Sequence, residues 1–196
     1  MASDTSICNL ALSHFGQEGV ISSIDPPDGS DEAAIAKDFY PLARDEILEE
    51  YDWTFARKRD TLASVTNDRT DLAYKFALPA DYLKARRLLP LGYADDQNDA
   101  AEYEIEGDFL YTNEATPTLI YTKRLVDMTK MAPLAVIALS YRLAAYMAGP
   151  IVKDPTGNLQ RMLRTAGDAE AEKAKQSDAG AERRRATHKS TAKRSR

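Results

Sequence analysis

The residues best suited to nucleophilic catalysis in this 196-residue sequence are one cysteine and two histidines. Cys8 and His14 could form a thiolate–imidazolium pair if their side chains met. On a helix, a separation of six residues places them about 240° apart around the axis, so the side chains diverge. We therefore interpret Cys8 as a small hydrophobe in the helix packing, and His14 as a helix-face or interface residue. The other histidine, His188, lies in the basic C-terminal segment.

Metal and cofactor chemistry also lack a supporting pattern. One cysteine and two histidines are too few for a typical structural zinc site. The acidic stretch at residues 95–99 could hold a hard cation, but it lacks the spacing of a calcium loop, and we interpret it as an exposed loop. No phosphate-binding glycine loop, dinucleotide fingerprint or nucleophile elbow occurs. The sequence therefore predicts a protein that is not an enzyme, with no catalytic residue, cofactor or metal.

Charge is distributed unevenly along the chain. The net charge is −5, yet the last fourteen residues contain seven Lys or Arg and no acid. The first 182 residues contain the other 19 basic side chains and all 31 acidic ones, a formal charge of −12. Charge blocks of this kind are often solvated tails that become ordered on a partner. The candidate docking residues are Arg183, Arg184, Arg185, Lys189, Lys193, Arg194 and Arg196.

Three roles are open for this basic segment. It could dock on an acidic protein surface through Arg–carboxylate pairs, or contact nucleic-acid phosphates without sequence preference. It could also be a passive solvated end. No aromatic residue lies between the basic ones, so stacking on a single strand is unsupported. Apart from alanines the segment lacks apolar residues, and we expect it to be disordered when free.

Periodic apolar positions predict four helices, two at each end of the chain. Pro41 lies inside the second pattern and should kink or split that helix, and Gly149-Pro150 should end or kink the third. The third pattern contains the most apolar run, but about 15 residues interrupted by Arg142 are too few for a typical membrane span. The predicted bounds are about 4–16, 30–51, 133–149 and 155–178.

The middle of the chain, about residues 53–126, carries the alternating, β-branched and aromatic runs that are typical of strands. The clearest feature is a hairpin of residues 103–106 and 109–112, because Gly107 can supply the positive φ of a tight turn. Trp53 could be a ligand platform, but we interpret it as an anchor between the second helix and the first strand.

These elements predict an α+β fold. The N- and C-terminal helices form a bundle, and a small antiparallel β module is inserted between them. We expect residues 1–182 to form a single domain and residues 183–196 to form a flexible basic tail.

Four stretches between about residues 5 and 175 carry a longer pattern. They are residues 7–16 with 21–24, residues 40–48 (Tyr-Pro-Leu-Ala-Arg-Asp-Glu-Ile-Leu) running on to 53–56, residues 74–85 followed by the hairpin and residues 121–127, and residues 138–150, which end in Leu-Ala-Ala-Tyr-Met-Ala-Gly-Pro. In this order and spacing they resemble the head-to-tail adaptors of podoviruses, the short-tailed bacteriophages, of the tail tubular protein A type. The basic last fourteen residues lie outside this pattern.

The resemblance implies a structural subunit of the virion neck, assembled in the host cytoplasm. Such adaptors form homo-oligomeric rings, typically twelve-fold, below the portal protein, and they often dock on the portal through their C-terminal segment. The ring extends the channel for double-stranded DNA, without sequence-specific binding, and offers a platform to the nozzle or tail tube below. Genome retention and ejection would be its role.

The residues agree with this expectation at two points. An acidic body suits a DNA conduit, because negative walls repel phosphates. The basic tail suits a clamp on an acidic portal surface. The alternative function is a nucleic-acid-binding phage accessory protein that acts through residues 183–196.

Overall fold

The computed structural model describes residues 2–17, 19, 21–92, 100–153 and 155–193, with side chains as far as residue 180. The chain divides into two compact units. The helical unit combines Met1–Phe55 with Val126–Arg196, and the β unit is Ala56–Leu125. The predicted α+β class is confirmed, since helices from the two ends of the chain flank an antiparallel β region. The grouping of both units into one domain stays a prediction.

The helices of the helical unit begin at the start signals that the sequence carries. The Ser3 side chain accepts a hydrogen bond from the Ser6 backbone and caps α1, and Ser30 caps α2 through the backbone N–H of Ala33. Pro133 occupies the first turn of α3, where its missing N–H costs nothing. The described helices are α1 (Asp4–Ser13), α2 (Asp31–Glu50), α3 (Pro133–Val152) and α4 (Asn158–Lys193), with a 3-10 turn at Met128–Lys130.

The structure contradicts a helix break at either predicted proline, while a kink at these positions stays a prediction, and it corrects the end of the first helix. Pro41 does not split α2, which runs without interruption for 20 residues. Pro150 does not end α3, which continues to Val152 and stops at Lys153, where φ is 52°. A proline removes one backbone donor, and packing on the rest of the unit can compensate for that loss. α1 ends at Ser13 rather than near residue 16, and turns follow it.

The predicted end of the last helix is also wrong. The sequence predicts a helix end near residue 178 and a flexible basic tail over residues 183–196, whereas α4 continues to Lys193. Ala, Glu, Lys and Arg dominate this stretch, and all four are good helix formers. Basic residues near a helix C-terminus also interact favourably with its macrodipole. These local preferences support a helix without the apolar stripe on which the prediction relied.

α3 is the core helix of the helical unit, with packing contacts to α1, α2 and α4. Among the described helices it is long and apolar enough, by length and composition, to cross a membrane, and 56% of that stretch is buried inside the protein. A core helix of a soluble protein has the same composition. Its buried position in the helical unit therefore accounts for its apolar character.

The β unit contains two antiparallel sheets, with strand orders β1-β7-β4 and β2-β3-β6-β5. The predicted hairpin is confirmed as β5–β6, and Gly107 has a φ of 58° in its turn. The described strands are β1 (Arg57–Thr61), β2 (Ala63–Val65), β3 (Tyr74–Ala77), β4 (Tyr82–Leu89), β5 (Tyr103–Glu106), β6 (Phe109–Thr112) and β7 (Thr118–Lys123). Side chains from both sheets form one core: Leu62, Phe76, Leu88, Leu110, Leu119 and Tyr121.

The loop between β2 and β3 is fastened to its sheet by ion pairs. Arg69 contacts Glu104 at 2.7 Å and Glu106 at 3.1 Å, both on edge strand β5. Lys75 of β3 contacts Asp68 at 2.7 Å and lies 4.2 Å from the centre of the Phe109 ring. The loop is thereby ordered by contacts within the β unit.

Candidate docking helix

The predicted docking residues lie at the end of α4. Its backbone carries the first five of them, Arg183 to Lys193, in its last turns, while residues 194–196 fall outside the described part of the chain. Among the residues whose side chains are described, the buried and ion-paired positions that anchor α4 include residues 163–178. The helix then continues for roughly 22 Å beyond Asp178. The structure thus places the backbone of residues 183–193 on a continuation of an anchored helix.

Apolar anchoring of α4 relies mainly on small residues. Leu163, Ala171 and Ala174 are buried, and Gly167 lies where α4 crosses α3. A Cβ atom added at Gly167 would lie 3.2 Å from both Cγ of Arg142 and the Tyr141 side chain, closer than most real contacts. The crossing therefore depends on the absence of a side chain at this position.

Arg142 of α3 joins α2 and α4 through buried ion pairs. Its side chain is 5% exposed. Nη1 lies 3.0 Å from Glu46, while Nη2 lies 2.6 Å from Glu50 and 2.9 Å from Asp168. A buried guanidinium is tolerated only with such compensation. One side chain of the core helix thus holds acidic groups from two other helices.

Further donors complete this network around the end of α2. Arg164 of α4 forms an ion pair with Glu46, and the Tyr146 hydroxyl donates to the same carboxylate at 3.0 Å. Lys175 lies 2.6 Å from Glu50. Burial by itself would raise the pKa of Glu50, but hydrogen bonds from Lys175 and Arg142 outweigh it and hold the pKa below its ordinary value.

The acidic end of α2 explains why these donors are needed. Residues 1–55 contain 12 Asp or Glu and two Lys or Arg. The last turn of α2 has no basic residue, and negative charge is unfavourable at a helix C-terminus. Like charges at Glu46 and Glu50, four residues apart, also repel. Cations from α3 and α4 offset both effects, so α2 and α4 are electrostatically complementary.

A second polar contact fastens α4 beyond this network. The Asp178 carboxylate accepts hydrogen bonds from the backbone N–H of Thr54 at 3.0 Å and from its hydroxyl at 2.5 Å. Asp178 is 9% exposed. This contact lies where the predicted helix was expected to fade.

Cys8 and His14 both contribute to the packing of the helical unit. Cys8 is fully buried in α1, and burial raises the pKa of its thiol to about 12. The His14 ring stacks on Tyr141 with 3.9 Å between centroids, and its Nε2 lies 3.1 Å from the Ser140 hydroxyl. That hydroxyl donates to the carbonyl of Ile137, so we assign the hydrogen of the His14 contact to Nε2. Burial lowers the pKa of His14. Both residues are used in packing α1.

Trp53 is an internal anchor at the end of the first segment of the helical unit. Its side chain is fully buried, and the indole Nε1–H donates to the carbonyl of Ile47 at 2.7 Å. The ring contacts Tyr51 and Phe55, with centroid distances of 5.0 and 5.4 Å. A buried indole cannot serve as an exposed ligand platform.

A metal site needs several ligand side chains close together. In the part of the chain that the structure describes, no group of three or more His, Cys, Asp or Glu side chains is placed to hold a metal ion. The acidic stretch at 95–99 lies outside the described residues.

Three residues that anchor α4 were missed by sequence reasoning. Arg142 was considered only as an interruption of an apolar run, and a lone arginine there is a signal for a buried ion pair. Gly167 inside a helix is a signal for a close crossing, since glycine costs helix stability. Asp178 carries no comparable signal, because its partner Thr54 is 124 residues away.

Comparison with known proteins adds no family assignment. The chain matches no protein-family model, and no curated protein matches it. The resemblance to podovirus adaptors therefore stays a prediction from the order and spacing of the four stretches. The function has to be argued from the chain's own features.

Proposed function

We propose that this protein is a structural head-to-tail adaptor of a short-tailed bacteriophage. Its copies form a ring, twelve-fold by the resemblance, between the portal and the tail nozzle. The ring extends the DNA channel for genome retention and ejection. The protein acts by assembly and carries out no reaction.

The observation that carries this proposal is the construction of α4. The helix is fastened to α2 and α3 by Arg142, Arg164 and Lys175, and its backbone continues to Lys193 with a strongly basic end. An anchored helix can present a charged end at a defined distance from its own unit. Such an end suits attachment to an acidic protein surface, and Arg–carboxylate pairs are strong when their geometry is fixed.

The charge distribution supports a conduit. The first 182 residues carry a formal charge of −12, which favours loose rather than tight contact with passing DNA. A closed ring needs two different patches that meet on neighbouring copies.

The direct test is electron microscopy of the full-length protein mixed with the portal protein of the same phage. We expect rings of about twelve copies stacked on the portal. A protein that stays monomeric with the portal and is absent from virions would contradict the proposal. A monomer without the portal is compatible with it, because the portal can template the ring.

A charge variant tests the docking end. We expect R183Q/R184Q/R185Q to lose portal binding, while the control K130Q/K153Q/K173Q, which removes three charges elsewhere in the helical unit, keeps it. Pull-down with the portal at two salt concentrations measures this, since an electrostatic contact weakens with salt. Equal binding of both variants would exclude the basic end as the docking element.

The alternative, a nucleic-acid-binding accessory protein, is separated by a gel-shift assay. Salt-sensitive DNA binding that is lost in R183Q/R184Q/R185Q, together with no portal binding, would favour it. We expect weak DNA binding in both the parent and the variant.

A further inference from the structure

Asp178 holds Thr54 by two hydrogen bonds that fix both its position and its orientation. One carboxylate oxygen takes the backbone N–H and the other takes the side-chain hydroxyl. Hydrogen bonds to a charged group are stronger than neutral ones, and Asp178 is buried while Thr54 is half-buried. The contact therefore reports on the position of α4 at one defined point of the main chain.

Thr54 lies directly before the boundary of the helical unit. The unit's first segment ends at Phe55, and the β unit begins at Ala56. On the other side of Thr54, Trp53 is fixed by its buried ring and its hydrogen bond to Ile47. Asp178 thus acts on the short piece of chain between a rigid anchor and the start of the β unit.

The distal part of α4, defined as residues 171–180, has few other attachments. Among these residues, for which side chains are described, Ala171 and Ala174 are the buried apolar ones. Lys175 adds its ion pair with Glu50. Two alanines bury little area, so this part of the helix is held mainly by directional polar contacts. Segments with few buried apolar contacts open at low free-energy cost.

We propose that the Asp178–Thr54 contact is a latch that couples the distal part of α4 to the junction where the chain enters the β unit. With the latch closed, Thr54 and α4 order each other. With the latch open, both are released together.

The functional role of this coupling rests on the proposed docking role of the end of α4. A partner that holds the helix end in a new position shifts the balance between closed and open states, and the junction at Thr54 responds. Binding at one end of the helix is thereby communicated to the start of the β unit.

Amide hydrogen exchange on the full-length protein tests the latch without any partner. In D178N we expect exchange at Thr54 and across residues 171–180 to become at least about tenfold faster. T54V removes only the hydroxyl donor, and we expect faster exchange across residues 171–180, more than a hundred residues away in sequence. The matched control K173Q, at an exposed position of the same helix, should leave the Thr54 amide unchanged.

The decisive result is the reciprocal effect. If T54V leaves exchange across residues 171–180 as in the parent protein, and D178N changes only Thr54, the contact is local and the latch is disproved. If D178N unfolds, T54V alone decides. Because no portal or DNA is present, a negative result here concerns the latch, whereas failed portal binding concerns the adaptor function.

Discussion

At the scale of single residues, Arg142 links α2, α3 and α4 of the helical unit. It lies in the most apolar helix and binds Glu46, Glu50 and Asp168. A buried ion pair can be worth no more than a well-packed apolar group, but removing one partner is destabilising. Without Arg142, Glu46 and Glu50 would keep only Arg164, Tyr146 and Lys175 as described donors. The residue therefore specifies how α2 and α4 lie on α3.

We expect R142M to lower the free energy of unfolding by about 3 kcal/mol, because the three carboxylates lose their shared cation. K130M is the control, since Lys130 is exposed and pairs only with Asp127 among its described contacts, and it should change stability by less than about 0.5 kcal/mol. Urea denaturation measures both. Similar losses in the two variants would contradict the role of Arg142.

The two glycines of α4 give a matched comparison. A Cβ at Gly167 would crowd Arg142 and Tyr141, whereas nothing lies within 4 Å of one at Gly180. G180A should stabilise the helix by up to about 1 kcal/mol through helix propensity. G167A should gain less, or lose stability, because its neighbours have to move. Urea midpoints of both variants measure the difference, and equal gains would show that the α3–α4 crossing has room to spare.

His14 makes stability depend on pH. Burial lowers its pKa in the folded state, so the unfolded chain takes up a proton first, near pH 6.5. The contribution of His14 to the free energy of unfolding is fully present above that pH and is lost as the pH falls toward the folded pKa. We expect the unfolding free energy to decline from about pH 7 to about pH 5, and H14Q to decline less. Denaturation midpoints across this range measure the effect, and parallel curves would contradict it.

At the scale of elements, the sequence was most informative where local signals decide the outcome. The β5–β6 hairpin follows from Gly107 and its alternating flanks, and the helix starts follow from Ser3, Ser30 and Pro133. The ends of α3 and α4 could not be predicted in this way. Pro150 is a local stop signal that did not end α3, and the last turns of α4 lack an apolar stripe.

The docking helix shows the same division. The helix was predicted from periodic apolar residues, with Leu159, Met162 and Leu163 on its inward face. Leu163 is buried as expected, but Met162 is exposed. The polar contacts that fasten it join residues far apart in sequence, as Arg142 with Glu46 and Asp178 with Thr54. Spacing along one segment contains no information about such partners.

The ion pairs between α2 and α4 should weaken at low pH. The folded pKa of Glu50 lies below its ordinary value, so its contribution is present above the unfolded pKa near 4.3 and is lost as the pH falls through the folded pKa. We expect the helical unit to lose stability below about pH 4.5, and E50Q to lose less over the same range. Circular dichroism during urea titration at several pH values measures this. An acid loss of equal size in E50Q would contradict the assignment.

At the scale of the whole molecule, the described side-chain contacts of α4 precede its basic end in sequence. The contacts described for α4 end at Asp178 and Ala174, while the seven basic residues follow from residue 183. If the basic end is the docking element, as proposed, the described anchoring contacts and the docking residues belong to different parts of the sequence.

A chain that ends at residue 182 should fold like the full-length protein. We expect its unfolding free energy to stay within about 0.5 kcal/mol, because the described anchors of α4 remain, while its binding to the portal is lost. Urea denaturation and portal pull-down measure the two properties. A large loss of stability would show that the last turns of α4 also belong to the fold.

The division of the helical unit between the two ends of the chain has a consequence for its synthesis. Residues 1–55 leave the ribosome first, with an acidic α2 whose compensating cations, on α3 and α4, are translated much later. The β unit is one continuous segment and can complete its core as soon as residue 125 has emerged. We therefore expect the inserted unit to fold before the unit that surrounds it in sequence. The nascent N-terminal helices would lack their partners α3 and α4 until about the last third of the chain has been synthesised.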